Sequence, residues 1–375
     1  MELRIHRNQL LQAATRIQGA ISDRNFSQAG IRAKDGSVVV SLTDRLLAIY
    51  SQHECEVAVE GHVFIPAKLL VDMVRELAPG YVTLAQRGPV LEVIAGERDE
   101  FFMRIPTVEQ PWKELVLNKN LVSADLRADA LQYMIKQVDF CIAHESTRNY
   151  ASVAFLHRVD EQKLRLVGSD GYRLSYADIS VQLPEDFLTQ GVCLSKRALQ
   201  ELERVSREGF ENVRISFLDD QTTILAEVPN YQIYIRLSSV KYPKYQGVLP
   251  KGNLIPVDVS RPLLQTVAKR VLLAADRTYA LQLCFGNSSL TLSSKTVGSS
   301  EGKESIVLQG YSGGDQELSV NGRFLADVFA TIPSPEVTLK FRGKEDPIVL
   351  IPKVEPLGCA SMHVLVPIHE SEQTV

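Results

Sequence analysis

The chain has 375 residues, 45% of them hydrophobic and 23% charged, with a net charge of −4. That length predicts two or three domains, because single cores rarely grow beyond about 200 residues. The composition is that of a globular chain, and no stretch approaches the roughly 18–20 apolar residues a membrane span demands, so no membrane partner is expected. The opening MELRIHRNQL places charges where a signal peptide needs its apolar core. The five cysteines are far apart and form no CxxC pair. Both features predict a chain that is not exported and keeps reduced thiols, hence a cytoplasmic location.

In chain order, each repeat reads as strand, helix, several strands, strand, helix and strands, with amphipathic helices predicted at 7–19 and 66–78, then 127–144 and 195–208, then 260–275 and 321–332. Their apolar residues fall at i, i+3, i+4 and i+7, as with Leu131, Met134, Ile135 and Val138. Between helices the chain alternates with period two and is broken by Asp-Gly and Gly-Asn turns, which predicts antiparallel hairpins.

Two patterns repeat. One, apolar–x–apolar–x2–basic–x–Leu, appears as VFIPAKLL around Lys68, VCLSKRAL around Arg197 and LSVNGRFL around Arg323. The other, apolar–x–apolar–x4–Leu, ends on Leu10, Leu131 and Leu264. Two different patterns recurring in one order at nearly one period predict three tandem α+β repeats, each with two helices on antiparallel sheet, at 1–120, 121–250 and 251–375. The Pro-containing connectors at 105–115 and 241–252 are too short to act as loose tethers, so neighbouring repeats are expected edge to edge.

The six helices hold 14 basic and 8 acidic residues, so the remainder of this net-acidic chain is strongly acidic. Basic residues on helices are ordinarily a solvated face. Here one basic position recurs in every repeat, which suits diffuse attraction to phosphates without base readout. Neither a catalytic site nor a cofactor is expected. GSSEG at 298–302 matches G-x-S-x-G around Ser300, but strand-like runs on both sides make it a hairpin rather than a nucleophile elbow. GSSEGKE lacks the spacing of a P-loop. His53 and His62 lie in strand-like segments without metal-ligand spacing, so no metal site is expected.

Three further segments stand out: VGSDGYRLSY (167–176), KYPKYQGVLP (241–250) and MHVLVPIHE (362–370). SDG alone is a tight turn with Gly171 at positive φ. Together with the repeat, these segments resemble the bacterial DNA polymerase III beta-subunit family of sliding clamps, from the first strand to about His369. The resemblance implies a head-to-tail homodimer whose six domains close a ring around double-stranded DNA and confer processivity. Its DNA-contacting positions match Arg24, Lys68, Arg75, Lys196, Arg197 and Arg204. It also implies a peptide pocket between the second and third repeats. The matching wall residues are Ala151, Gly171, Tyr172, Arg173, Leu174, Pro243, Val248, Val364, Val366 and Pro367, with Arg148 and Asn321 as polar edges. The implied partners are the DNA polymerase III alpha subunit, the clamp loader and other clamp-motif proteins, namely repair polymerases, mismatch-repair proteins and ligase.

The chain departs from the family pattern in several places. SDRNFSQAGIRAKDG (22–36) lacks the usual Pro-containing apolar segment, Glu145 replaces a neutral DNA-contacting residue, Ala151 is small, and Val366 stands where Met is common. Glu370–Val375 overruns the common endpoint beside the expected pocket mouth. An accessory, specialised clamp or a diverged three-repeat protein-binding scaffold remains as an alternative.

Overall fold

The computed structural model describes residues 1–21, 27–96, 98, 100–112, 121–143, 148–218 and 222–368. The first repeat runs β1 (Glu2–His6), α1 (Arg7–Arg16), β2 (Gln28–Lys34), β3 (Ser37–Thr43), β4 (Leu47–Glu54), β5 (Glu56–Val59), β6 (Gly61–Pro66), α2 (Ala67–Glu76), β7 (Tyr81–Arg87), β8 (Val90–Ala95) and β9 (Phe101–Pro106). The second runs β10 (Ser123–Arg127), α3 (Ala128–Lys136), β11 (Val153–Asp160), β12 (Lys163–Ser169), β13 (Arg173–Ser180), β14 (Val192–Ser195), α4 (Lys196–Ser206), β15 (Asn212–Phe217), β16 (Thr223–Val228) and β17 (Tyr231–Arg236). The third runs β18 (Ile255–Ser260), α5 (Arg261–Val271), β19 (Ala280–Gly286), β20 (Ser289–Thr296), β21 (Ser300–Val307), β22 (Gln316–Asn321), α6 (Gly322–Thr331), β23 (Glu336–Phe341), β24 (Ile348–Pro352) and β25 (Cys359–Leu365).

The strand–helix junctions follow from local chemistry. β1, β14 and β22 end on or beside a side chain that accepts from the next helix: His6 from the Asn8 amide, Ser195 from Ala198, and Asn321 from Arg323 and Phe324. Such caps satisfy amides that the first helical turn cannot pair. In α2, Leu70, Val71 and Val74 are buried while Lys68, Asp72 and Arg75 face solvent, so one stripe enters the core at about 1.5–3 kcal/mol per side chain.

The α-helices are shorter than the periodicity predicts, and the difference is systematic. After α1, α3 and α5 the backbone tightens into 3₁₀ turns at Ile17–Ala20, Asp139–Cys141 and Leu272–Ala274. A 3₁₀ turn pairs some of the carbonyls left over at a helix end while keeping apolar side chains pointed inward. The 260–275 pattern therefore holds as packing although not as one α-helix. The same is true of the described part of 127–144.

The described chain separates into two compact units, Met1–Ala128 with Gln200–Leu237 and Asp129–Leu199 with Ser238–Val375. The sheets do not follow the three repeats one by one, as the sequence suggested, because two of them are shared. The first unit holds a five-stranded sheet, β5-β1-β7-β8-β9, and an eight-stranded sheet, β10-β15-β16-β17-β4-β3-β2-β6. The second holds an eight-stranded sheet, β14-β11-β12-β13-β25-β24-β23-β18, and a four-stranded sheet, β21-β20-β19-β22. Every ladder between these strands is antiparallel. The sharing arises where β17 of the second repeat pairs β4 of the first, and where β25 of the third pairs β13 of the second.

On the helix side of the β4–β17 ladder, Arg16 is 4% exposed. Its guanidinium donates to Glu208 at 2.6 and 3.1 Å, to Ser51 Oγ at 3.0 Å and to the Asn230 carbonyl at 3.2 Å, and it lies over the Tyr231 ring. His53 shares Ser51 at 3.0 Å and is pushed down to about 4, first by burial and then by the Arg16 charge, so it is neutral near pH 7. Removing Glu208 would leave a buried cation uncompensated, which typically costs 3–5 kcal/mol. Glu208→Gln is therefore expected to lower the denaturant midpoint by an amount equivalent to about 3 kcal/mol. Equilibrium unfolding followed by circular dichroism measures this.

Candidate peptide pocket and basic helix face

The SDG turn joins β12 to β13. Asp170 Oδ1 accepts from the Tyr172 and Arg173 amides, both at 3.0 Å, and Gly171 takes φ +92°. This is an Asx turn, in which the carboxylate does the work of a backbone carbonyl. A side chain at Gly171 would be strained by that φ and would push aside the tip of the Arg148 side chain, so glycine is favoured here chiefly by its backbone conformation.

Beyond the turn, β13 pairs β25 with Leu174 opposite Val364, and Val364 is opposite Val349 of β24. These three and Val167 are buried in one cluster with Tyr245 of the 241–250 connector, and Tyr242 and Leu249 pack against them. The connector is pinned: Tyr245 Oη lies 2.9 Å from His157 Nε2, and Tyr242 stacks on Phe155 with centroids 5.2 Å apart. The three sequence segments thus meet in one place. Around the buried floor, Tyr172, Val248 and Val366 are 59%, 52% and 36% exposed, and Pro243 is also exposed. The Val366 amide bonds the Tyr172 carbonyl at 3.0 Å, and Pro367 bridges to Val320 near the end of β22. Ala151 is buried in a 3₁₀ turn, Asn149–Ser152, which follows Arg148.

Two residues expected to edge or wall the pocket are engaged elsewhere. Asn321 is the α6 cap, and its amide donates to the Thr278 carbonyl at 3.2 Å. Arg173 is 10% exposed and donates to Asp170, Asp327 and the Phe140 carbonyl.

The opposite face of the β13–β25 ladder is polar. Cys141 Sγ donates to Ser175 Oγ at 3.1 Å, and Ser175 meets His363 Nδ1 at 2.9 Å. Burial pushes Cys141 up to about 12 and His363 down to about 3, so both are neutral near pH 7 and the thiol is unreactive. Ser300 opens β21 and donates to the Ala274 carbonyl at 3.2 Å, as a hairpin residue would. Among the described residues no cluster of His, Cys, Asp or Glu could hold a metal, and no helix is long and apolar enough to cross a membrane.

On the helices, Lys68 and Arg75 are exposed and seven apart, so they share the outer face of α2. Arg197 and Arg204 stand at equivalent places on α4, 129 residues further on. Arg204 is exposed and pairs with Glu201 at 3.1 Å. Lys196, expected beside them, is turned inward. Its ammonium donates to the Asp139 and Ile142 carbonyls at 3.3 and 3.0 Å and lies 3.8 Å from Asp139 Oδ2. It thus spans the 3₁₀ turn that follows α3, bonding a carbonyl at its start and another just past its end, a role that periodicity could not reveal. Arg24, Glu145 and Glu370–Val375 lie outside the described residues.

Family models for the DNA polymerase III beta subunit match in order: the N-terminal domain over residues 1–110, the central domain over 125–244 and the C-terminal domain over 246–364. The chain is 25% identical over 370 residues to a beta sliding clamp of Caulobacter vibrioides, covering 95% of this chain and 97% of that one. It is 23% identical to the beta sliding clamp of Staphylococcus epidermidis over 94% of this chain and 96% of that one. The crystal structure of the DNA polymerase III subunit beta from Pseudomonas aeruginosa superposes with a TM-score of 0.90 at 22% identity, covering 98% of this chain and all of that one. With all three domain models matched in sequence order along one polypeptide, the chain belongs to the DNA polymerase III beta subunit family, the beta sliding clamps.

Proposed function

We propose that two copies of this chain close into a ring of six domains around double-stranded DNA, and that the pocket tethers the DNA polymerase III alpha subunit, the clamp loader and other clamp-motif proteins, among them repair polymerases, mismatch-repair proteins and ligase. The domains are 1–120, 121–250 and 251–375, the place of action is the cytoplasm, and the chain contributes processivity without catalysis. The observation that carries the DNA reading is the basic pair spaced by seven residues, Lys68 with Arg75 and Arg197 with Arg204, recurring at one helix position in successive repeats. Such contacts hold phosphates diffusely and read no bases, so a ring can slide while its topology retains it.

Two sheet edges support closure between copies. β9 in the first repeat and β21 in the third are edge strands, and an unpaired edge is a template for another chain. Phe102 on β9 and Val307 on β21 are 52% and 79% exposed, as is Leu273, at 87%, in the turn that Ser300 and Thr296 bind through the Ala274 carbonyl. Pocket binding is supported by the buried Leu174–Val364 floor beneath an exposed apolar rim, an arrangement suited to a short apolar peptide.

After loading, the protein is expected to stay on circular plasmid and leave a linear one, and equal loss from both at moderate salt contradicts encirclement. Arg197→Glu with Arg204→Glu should reduce the magnitude of the slope of log affinity against log salt by roughly 0.9 per lost phosphate contact, at unchanged dimer mass. Lys196→Met, whose ammonium is spent inside the fold, should leave that slope unchanged and lower the unfolding midpoint. Leu174→Asp puts an unpaired charge into the pocket floor. It is expected to abolish binding of a polymerase-derived clamp-motif peptide in calorimetric titration while dimer mass and DNA retention persist.

A further inference from the structure

Arg173 stands in the middle of the pocket segment, yet its guanidinium is used up inside the protein. Nε donates to Asp170 Oδ2 at 2.9 Å, Nη2 to the Phe140 carbonyl at 2.8 Å and Nη1 to Asp327 Oδ2 at 2.6 Å. The cation also sits between two rings, 5.1 Å from the Phe140 centroid and 4.4 Å from that of Phe324. Asp170 and Phe140 belong to the second repeat, and Asp327 and Phe324 to α6 of the third. Tyr172, the exposed rim residue next to Arg173, lies 6.4 Å from the same Phe324 ring. One buried cation therefore fixes the pocket turn to α6 and sets the rim aromatic against it.

The first repeat supplies an internal control. At the β4–β17 ladder Asp44 Oδ1 accepts from the Leu46 and Leu47 amides at 2.7 and 2.8 Å, the same Asx turn as at Asp170. The Arg236 amide bonds the Leu46 carbonyl at 2.8 Å, as Val366 bonds Tyr172. Leu47 pairs Ile235 where Arg173 pairs Leu365, so Leu47 occupies the place of the arginine. Opposite Ala48, in the place of Val364, stands Tyr234, 6% exposed. The turn and the ladder form there without an arginine, and the floor is filled by a ring. Folding of the turn does not require the cation; what accompanies the cation is a valine, Val364, where the first junction has the Tyr234 ring.

Resting on the pocket reading above, we infer that Arg173 is a positioning residue, held by Asp327, that keeps the Asp170–Tyr172 turn and α6 at the separation a bound peptide needs, and that it does not itself meet the peptide. Asp327 is the place to test this, because its side chain is half exposed, lies outside the pocket floor and can change charge without opening the core. Full-length Asp327→Asn, Asp327→Glu and Leu174→Asp are titrated by calorimetry with a synthetic peptide carrying a polymerase clamp motif, and their unfolding midpoints are measured alongside. Asp327→Asn should weaken binding roughly tenfold at an unchanged midpoint, and Asp327→Glu should restore it to within about twofold, in the range expected for coupled neighbours. Wild-type affinity in Asp327→Asn, no recovery in Asp327→Glu, or a loss matched by a fall in the midpoint overturns the positioning role. Full-strength binding by Leu174→Asp instead overturns the pocket reading itself, so the two failures are told apart.

Discussion

Antiparallel pairing across repeat boundaries is the constraint on which the rest depends. Where β25 meets β13, strands from different repeats exchange backbone hydrogen bonds as if they were one hairpin. Register there is strict, because a slip of one residue would exchange the two faces of the ladder. One face carries Leu174 and Val364, buried with Tyr245; the other carries Ser175 and His363 and is sealed against Cys141. This apolar cluster is therefore a property of the junction between repeats and belongs to neither alone.

The two junctions solve the same problem with different chemistry. Beneath the first, Arg16 is buried with Glu208 as a desolvated ion pair. At the corresponding helix position beneath the second stands Gln137, fully buried, whose amide donates to the Thr331 carbonyl at 2.9 Å and accepts from the Thr331 hydroxyl at 3.3 Å. A buried ion pair gives back in Coulomb attraction much of what desolvation costs, so its presence adds little net stability although breaking it is costly. The neutral pair carries a smaller desolvation penalty and a smaller cost of breaking.

Much of this was legible in the chain. Recurring strand-to-helix patterns located the repeats, the helix positions and the basic pairs, because period and burial are coupled in short elements. The three pocket segments were recognisable, and they meet in one cluster. Less visible was which polar side chains would be consumed by the fold. Lys196 looks like its neighbour Arg197 in sequence, but a lysine stem can fold back to carbonyls that only the 3₁₀ turn after α3 supplies. Arg173 reads as a pocket wall until Asp327 and Phe324, some 150 residues away, arrive beside it. Arg16 carries no local sign of burial, since Glu208 and Tyr231 come from the next repeat. Sheet sharing was hidden for the same reason: alternation marks a strand but does not name its partner.

The difference between Tyr234 and Val364 bears on traffic. If the cluster at Leu174 and Val364 is the peptide site proposed above, a phenol ring in one ladder and an isopropyl group in its counterpart make the two junctions unequal as berths. On that proposal, a chain with one berth holds one peptide motif at a time. Succession among clients then becomes a matter of residence time and local abundance, and a dimer would carry two berths, enough for one client to wait while another works.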